Sequence, residues 1–95
     1  MQLNEETAER AAGALSAMAN PTRLSILIYL ASQESPVSAI ASHVGMSCSS
    51  TSQHLAKLRA EGLVTTRKEH QMVYYSCQSA AVRALLEVLE EIHRI

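Results

Sequence analysis

Aromatic residues are scarce in this chain of 95 residues, which has three tyrosines and neither phenylalanine nor tryptophan. Apolar residues still make up 47% of the sequence, so leucine, isoleucine, valine, alanine and methionine must form the core, a set that suits packed helices. No apolar run reaches the ~18 residues of a membrane span. The acidic, polar start MQLNEETAER does not resemble a secretory signal. We therefore expect a helical protein that is neither inserted in a membrane nor secreted.

Cysteine is also scarce, with Cys48 and Cys77 alone. Two thiols without a disulfide framework fit a reducing compartment, so we expect a cytoplasmic protein. The sequence has no pair of carboxylates, no Ser/His/Asp set and no glycine-rich phosphate loop, and we predict no enzyme activity. At this length we expect a single domain over residues 1–95, and so small a core would gain stability from dimerisation.

Positive charge is not in excess, because the formal net charge is −1, but it is unevenly distributed. Residues 47–68 contain four cations and one carboxylate, a net charge of +3, whereas residues 1–19 carry −2 and residues 79–95 carry −1. The affinity of a protein for DNA depends on the number of phosphates it neutralises, not on its overall pI. A modest basic patch on each of two subunits is therefore compatible with DNA binding.

The segment from Ser47 to Gly62, SCSSTSQHLAKLRAEG, is predicted to be a helix with both ends marked. The Ser47 hydroxyl can cap its N-terminus, and Gly62 can end it in a left-handed turn. Thr51, Leu55 and Leu58 recur at helical spacing and predict one inward face. The opposite face carries hydrogen-bonding side chains and one full charge, as suits a DNA major groove: Ser49, Ser50, Gln53, His54 and Lys57. A serine-rich, solvated surface helix fits that face equally well.

The segments before this helix favour the DNA-binding interpretation. A central buried helix is predicted over residues 21–32, where Arg23 is the one charged residue and either faces a phosphate or is solvated. A short helix over residues 39–44 and a turn at Gly45 then lead into the helix that Ser47 caps. A short helix, a tight turn and a longer helix in this order are the helix-turn-helix layout.

The segment after Gly62 changes its apolar period from 3.6 to 2. Residues 63–68 and 72–77 are predicted to be strands, joined by a turn over residues 69–71. This β-hairpin is the expected wing of a winged helix-turn-helix. Its tip would hold basic side chains that can meet phosphates or a minor groove: Arg67, Lys68 and His70.

Helices are also predicted at both ends of the chain, over residues 5–19 and 80–94. The last helix has an apolar stripe larger than one small domain easily covers: Val82, Leu85, Leu86, Leu89 and Ile92. We expect the first and last helices to form a homodimer interface. The first helix could equally well pack within its own chain.

Several motifs together resemble the arsenical-repressor family (ArsR/SmtB) of bacterial winged-helix repressors. The joint N-P-x-R-L stands at residues 20–24. The pattern S-x-H-L-x-x-L-x-x-x-G-L-V is matched at Ser52, His54, Leu55, Leu58, Gly62, Leu63 and Val64. The resemblance implies a homodimer of four helices, a β-hairpin and a fifth helix, which represses transcription by occupying a promoter. Its groove-facing positions fall on Cys48, Ser49, Ser50, Ser52, Gln53 and His54.

The chain departs from the usual pattern of this family at two places. Thr51 stands where the family usually has an aliphatic core residue, and the wing turn at residues 69–71 lacks the usual glycine. Many family members sense metals through a cysteine pair in the helix before the recognition helix, but residues 37–41 contain no cysteine. Glu90 and His93 could share a face of the last helix, yet zinc requires about four ligands. We therefore predict no metal site and no cofactor.

The sequence thus predicts a sequence-specific, double-stranded DNA-binding transcriptional regulator, a dimeric repressor of a pseudo-palindromic operator. Two alternatives stay open. The first is a redox-responsive repressor that switches through Cys48, at a helix N-terminus, and Cys77, at the end of the wing. Against it, Cys48 can be a small polar contact residue and Cys77 a buried hydrophobic one. The second is a winged-helix protein-interaction module whose serine-rich face docks a protein.

Overall fold

The computed structural model describes residues 3–94, within which the chain forms five α-helices and one antiparallel pair of strands. The elements are α1 (Glu5–Met18), α2 (Pro21–Ser32), α3 (Val37–Val44), α4 (Cys48–Ala60), β1 (Thr65–Glu69), β2 (Met72–Ser76) and α5 (Ala80–Ile92). This order confirms the predicted mainly α fold with a β-hairpin wing. The helix-turn-helix comprises α3 and α4, and the wing comprises β1 and β2.

Polar side chains cap the N-termini of four helices. In each case the capping oxygen accepts from the backbone N–H three residues further on, at 3.0 to 3.2 Å, and the caps are Asn4, Asn20, Ser47 and Ser79. Each cap satisfies a donor that has no partner within its helix. The starts of these helices are therefore determined by the local sequence. The helix α3 begins after Pro36 without a side-chain cap.

The core lies between α2, α3, α4 and the base of the wing. Most of its fully buried side chains are aliphatic and come from these three helices: Ile26, Leu27, Leu30, Ile40, Leu55 and Leu58. Leu63 and Val64, which were predicted to begin the first strand, are instead packed in this core at 7% and 1% exposure. Because both side chains are buried behind α4, pairing with β2 starts only at Thr65.

The wing is attached to the body through a backbone bridge. The Ser35 N–H donates to the Tyr75 carbonyl at 3.0 Å, and the Tyr75 N–H donates to the Ser35 carbonyl at 2.9 Å. The segment between α2 and α3 thus pairs with β2 on the edge that β1 leaves free. At the far end the turn is shorter than predicted, since Glu69 pairs with Met72 and only His70 and Gln71 lie between the strands.

Apolar side chains on the outer helices are left exposed. Five of them are between 42% and 64% exposed, namely Leu15, Ile28, Leu85, Val88 and Ile92. A groove of about 570 Å³ runs between α2 and α5, and Arg83 at its edge donates to the Ala31 carbonyl at the end of α2. No helix within residues 3–94 is long and apolar enough to cross a membrane. A single copy of the chain therefore leaves much of the surface of α5 uncovered.

Candidate nucleic-acid interface

The polar face of α4 points away from the body, as predicted. Thr51, Leu55 and Leu58 are 0% exposed and hold the helix against the core. The outward side chains are Cys48, Ser49, Ser52, Gln53 and Lys57, all of them exposed. In the part of the chain that the structure describes, none of these five side chains forms a hydrogen bond. Their donors and acceptors are therefore available to another molecule. We call these five residues the reading face.

Thr51 is buried with an unsatisfied hydroxyl. Its Oγ1 has no hydrogen-bond partner among the described residues, although the side chain lies within an aliphatic cluster. A buried hydroxyl without a partner lowers stability because it has lost its hydrogen bonds to water. The position that departs from the family pattern is thus a core position. It lies on the side of α4 opposite to the reading face.

Ser50 and His54 occupy the flank of α4 and are half-buried. The backbone N–H of Ser50 donates to the capping Ser47 hydroxyl at 3.1 Å. The Nδ1 atom of His54 lies 3.4 Å from Nη1 of Arg23 on α2. The two residues were predicted to lie on the polar face together with Gln53, but they form its edge, where α4 meets the body.

Arg23 is hydrogen-bonded within the protein and not fully solvated. It is half-buried, and its Nε donates to the carbonyl oxygen of Ala17 at 2.6 Å. Its Nη2 donates to the carbonyl oxygen of Ser16 at 3.4 Å. The guanidinium thus supplies donors to carbonyl groups in the last turn of α1, of which that of Ser16 also accepts from the N–H of Ala19 at 3.2 Å. The sequence did not indicate this contact, because nothing in the spacing relates Arg23 to the end of α1.

Arg67 in the wing is held by two carboxylates. Its Nε lies 2.9 Å from both carboxylate oxygens of Glu34, its Nη2 lies 2.5 Å from Glu34 Oε1, and its Nη1 lies 2.6 Å from Glu69 Oε2. Its guanidinium carbon is 4.8 Å from the centre of the Tyr74 ring. These hydrogen bonds from Arg67 hold the pKa of the Glu34 carboxyl below its ordinary value. The positive charge of Arg67 is therefore offset within the protein.

Lys68 and His70 are exposed and, unlike Arg67, form no ion pair among the described residues. Successive residues of a strand point to opposite faces of the sheet, so Lys68 lies on the other face from its neighbour Arg67. His70 has a φ of 57° at the hairpin turn, in the left-handed region that few residues other than glycine favour. The wing turn without glycine thus places a strained histidine at its tip. Lys68 and His70 are the accessible basic side chains of the tip.

The two cysteines have opposite environments. Cys48 is exposed on the reading face, and Cys77 is buried in the core at 1% exposure. Burial raises the pKa of the Cys77 thiol, which keeps it in the protonated and less reactive form. Cys77 thus has the environment of a buried hydrophobic residue, and Cys48 is the accessible thiol of the pair.

Candidate metal ligands are dispersed over the described residues. Between residues 3 and 94, no three His, Cys, Asp or Glu side chains come together in a way that could hold a metal ion. Glu90 and His93, which were considered from their spacing, lie at the edge of the groove between α2 and α5.

Comparison with known proteins identifies the family. The model of "Bacterial regulatory protein, arsR family" matches residues 20–66, from the start of α2 into β1. Over 88 residues the chain is 54% identical to nodulation protein NolR of Rhizobium meliloti, covering 93% of this chain and 72% of the relative. Over 93 residues it is 43% identical to the transcriptional activator HlyU of Vibrio cholerae, covering 98% of this chain and 86% of the relative.

Comparison with solved structures leads to the same kind of protein as the sequence relatives. The crystal structure of NolR from Sinorhizobium fredii matches with a TM-score of 0.88 and 51% identity, covering 98% of this chain and 96% of that one. A homodimeric winged helix-turn-helix DNA-binding domain from Mycobacterium bovis matches with a TM-score of 0.84 and 32% identity, covering 96% of this chain and 87% of that one. The segments AAGALSAMANPTRL and VYYS, at residues 11–24 and 73–76, themselves resemble NolR, and the comparisons confirm that resemblance. The chain therefore belongs to the arsR family of bacterial regulatory proteins, and it is a DNA-binding transcriptional regulator, not an enzyme.

Proposed function

We propose that this protein is a dimeric repressor that inserts the reading face of α4 into the major groove of a pseudo-palindromic operator. The observation that carries the proposal is that face itself. Its side chains are short or flexible hydrogen-bonding groups without partners among the described residues, fixed by an inward apolar face on the same helix. Short donors and acceptors at the N-terminal end of a helix are what base edges in a major groove require.

Within this interface the residues have different roles. Cys48, Ser49, Ser52 and Gln53 approach base edges, with Ser50 and His54 beside them on the flank. Lys57, Lys68 and His70 approach phosphates or the adjacent minor groove. Arg67 keeps half of its side chain exposed and belongs to the same interface. Because Glu34 and Glu69 offset its charge, it supplies less attraction to phosphates than Lys68 does.

The dimer forms through the exposed apolar residues of α1 and α5. An uncovered face of this kind on a small domain favours association with a second copy. The similar domain from Mycobacterium bovis is a homodimer, which supports a dimer here as well. Residues 1–95 act as one domain in this dimer, and the protein works in the cytoplasm, where the chromosome lies. Two recognition helices related by a two-fold axis require half-sites about 10 bp apart, or a multiple of that.

Repression follows from occupation of the promoter by this dimer. HlyU of Vibrio cholerae is named an activator, so the direction of regulation needs its own test. The purified, reduced protein should be used to select random duplex DNA, and the enriched sequence should be placed over a promoter in a reporter assay. We expect an inverted repeat and lower reporter output when the protein is present. Higher output would make the protein an activator that binds the same site.

Two variants test the division of the interface into base-contacting and phosphate-contacting residues. Gln53→Ala should relax sequence preference at one position of each half-site, since a base contact discriminates by about 1 to 3 kcal/mol. Lys68→Ala should weaken binding to all sequences alike and lower the salt slope by about one. Fluorescence anisotropy with operator and scrambled duplexes, each at several salt concentrations, measures both. Identical behaviour of the two variants would contradict the assignment.

A protein-interaction module is the alternative from a different class. Binding to duplex DNA that weakens log-linearly and steeply with salt would exclude it, because that dependence reports release of counterions from phosphates. A folded protein that enriches no sequence and shows no such dependence would support it.

A redox-responsive form of the repressor rests on the exposure of Cys48 in the reading face. Oxidation there would add bulk and charge where bases are read, so peroxide should weaken operator binding and Cys48→Ser should be resistant. Equal sensitivity of the wild-type protein and Cys48→Ser would contradict this form of the proposal.

A further inference from the structure

We propose that Arg23 is a positioning residue that fixes the proton of His54 on Nε2 and sets the angle between α1 and the recognition helix α4. The inference rests on the proposed function in one respect, namely that α4 is the helix that reads DNA. The assignment of the proton depends only on the contact between Arg23 and His54.

The guanidinium of Arg23 connects three helices. The residue lies in the first turn of α2, it donates to the carbonyls of Ser16 and Ala17 on α1, and its Nη1 lies 3.4 Å from Nδ1 of His54 on α4. A planar guanidinium with five fixed donors is suited to such a junction, because each nitrogen can address a different acceptor. Lysine has a single ammonium group and cannot reproduce this geometry.

The chemistry of this contact assigns the tautomer of His54. Arginine has no acceptor and stays protonated in proteins, so Nδ1 of His54 must be the acceptor. A neutral imidazole that accepts at Nδ1 carries its proton on Nε2. The outer nitrogen of His54 is thus a hydrogen-bond donor.

A second contact fixes the same pair of helices. A Cβ atom placed on Gly13 of α1 would lie 3.0 Å from Oε1 of Glu61, which follows the last residue of α4. The Glu61 side chain thus reaches α1 at Gly13, and α1 and α4 are joined through Arg23 near Ala17. Since α1 belongs to the proposed dimer interface, these contacts link that interface to the recognition helix.

Histidine tautomers can be read directly by long-range proton–nitrogen NMR correlation on the full-length protein labelled with ¹⁵N. The spectrum should be recorded near pH 8.5, where imidazole side chains are generally neutral, and the His54 signals assigned from their loss in His54→Gln. We expect the Nε2–H pattern for His54 in the wild-type protein and a mixture of tautomers in Arg23→Gln. An Nδ1–H pattern in the wild-type protein would overturn the proposal. So would an unchanged pattern in Arg23→Gln.

Two variants of His54 separate positioning from direct DNA contact. The amide of asparagine lies about where the histidine ring holds Nδ1, and the amide of glutamine lies about where it holds Nε2. Under the proposal His54→Asn keeps the acceptor for Arg23 and binds the operator within about threefold of wild type, whereas His54→Gln loses about tenfold, the equivalent of one charge-assisted hydrogen bond. The reverse order would show that contact through Nε2 dominates and would overturn the positioning role.

Arg23 variants complete the test in the same anisotropy assay. Arg23→Gln should lose about tenfold in affinity without a change in salt slope, because Arg23 neutralises no phosphate, and Arg23→Lys should not restore it. The double variant with Arg23→Gln and His54→Gln should bind the operator no more weakly than the weaker-binding of the two single variants. Both substitutions remove the same contact, so their effects should not add. A salt slope lowered by about one in Arg23→Gln would instead identify a phosphate contact.

The fold of each variant should be checked by circular dichroism and thermal unfolding. If Arg23→Gln does not fold, the wild-type tautomer and the two His54 variants still decide the proposal. If the wild-type protein binds no DNA, the proposed function fails, while the NMR spectra still accept or reject the assigned proton.

Discussion

The recognition helix and the wing both offer polar side chains to the outside, but their groups are held in opposite ways. The reading face of α4 has no hydrogen-bonded partner among the described residues, and an apolar face on the other side of the same helix fixes it. In the wing, Arg67 is fixed by ion pairs with Glu34 and Glu69. Polar side chains without partners are free to contact bases, whereas side chains held in ion pairs keep the wing in a fixed shape. The two elements thus divide the work of binding.

The largest expected effect comes from breaking the apolar support of α4. Leu55→Ala removes a side chain that is 0% exposed and should cost about 2 to 5 kcal/mol of unfolding free energy, through lost burial and a residual cavity. Urea denaturation followed by circular dichroism measures it. Gln53→Ala, on the exposed face of the same helix, is the control and should stay within about 0.5 kcal/mol of wild type. Equal losses would mean that the reading face also supports the fold.

Thr51→Val separates the buried face of α4 from its reading face. It makes the buried face fully apolar and leaves the reading face unchanged. It removes the buried hydroxyl that lacks a partner and keeps the shape of the side chain. We expect stabilisation of about 1 kcal/mol in the same denaturation experiment. Operator affinity should not change. A loss of stability would show that the hydroxyl has a partner, such as a buried water molecule.

Glu34→Gln tests whether the wing is fixed by its ion pairs. The pKa of Glu34 is lowered in the folded protein, so its pairing stabilises the fold above the unfolded pKa of about 4.3 and is lost as the pH falls through the folded value. The melting temperature of the wild-type protein should therefore exceed that of Glu34→Gln near neutral pH and converge with it below about pH 4. Differential scanning calorimetry across this range measures the difference.

The size of this effect is small, because the pair is at the surface. Glu9→Gln, an exposed change on α1, is the matched control and should give a difference that does not vary in this way. A constant gap between wild type and Glu34→Gln at every pH would contradict the ion-pair account.

The smallest expected effect is at the tip of the wing. His70 adopts a left-handed backbone conformation, and asparagine tolerates that region better than histidine does. His70→Asn should stabilise the protein by a few tenths of a kcal/mol, about the limit of a careful thermal denaturation. It should also weaken DNA binding if His70 meets a phosphate. Unchanged affinity would restrict the basic contacts of the tip to Lys68 and Arg67.

How far the sequence predicted these features depends on how local their causes are. The recognition helix was predictable because its cap at Ser47, its apolar spacing and its end near Gly62 all lie within a few residues of one another. The order of helices and the hairpin were predictable from changes of period. The exposed side chains of α4 followed from the same spacing, apart from Ser50 and His54, which are half-buried; His54 lies beside Arg23 of α2.

Contacts between distant segments could not be predicted. Arg67 and Glu34 are 33 residues apart, and no pattern in the sequence relates them. Arg23 was expected to face solvent or a phosphate; Ala17 is only six residues away, but the sequence does not show that the turn between α1 and α2 brings its carbonyl to Arg23. Leu63 and Val64 are residue types that favour strands. Both side chains are instead buried in the core, and pairing with β2 begins only after them. In each case tertiary packing decided the outcome.

The contrast between an exposed Cys48 and a buried Cys77 also makes the protein a convenient reporter of its own state. A thiol-reactive fluorophore applied briefly to the native protein should label Cys48 alone, next to the bases that α4 is proposed to read. Cys77 reacts only when the core opens, so its labelling rate at high reagent concentration counts opening events. The native sequence thus contains two thiol probes: labelling of Cys48 reports whether DNA is bound, and labelling of Cys77 reports how often the core opens.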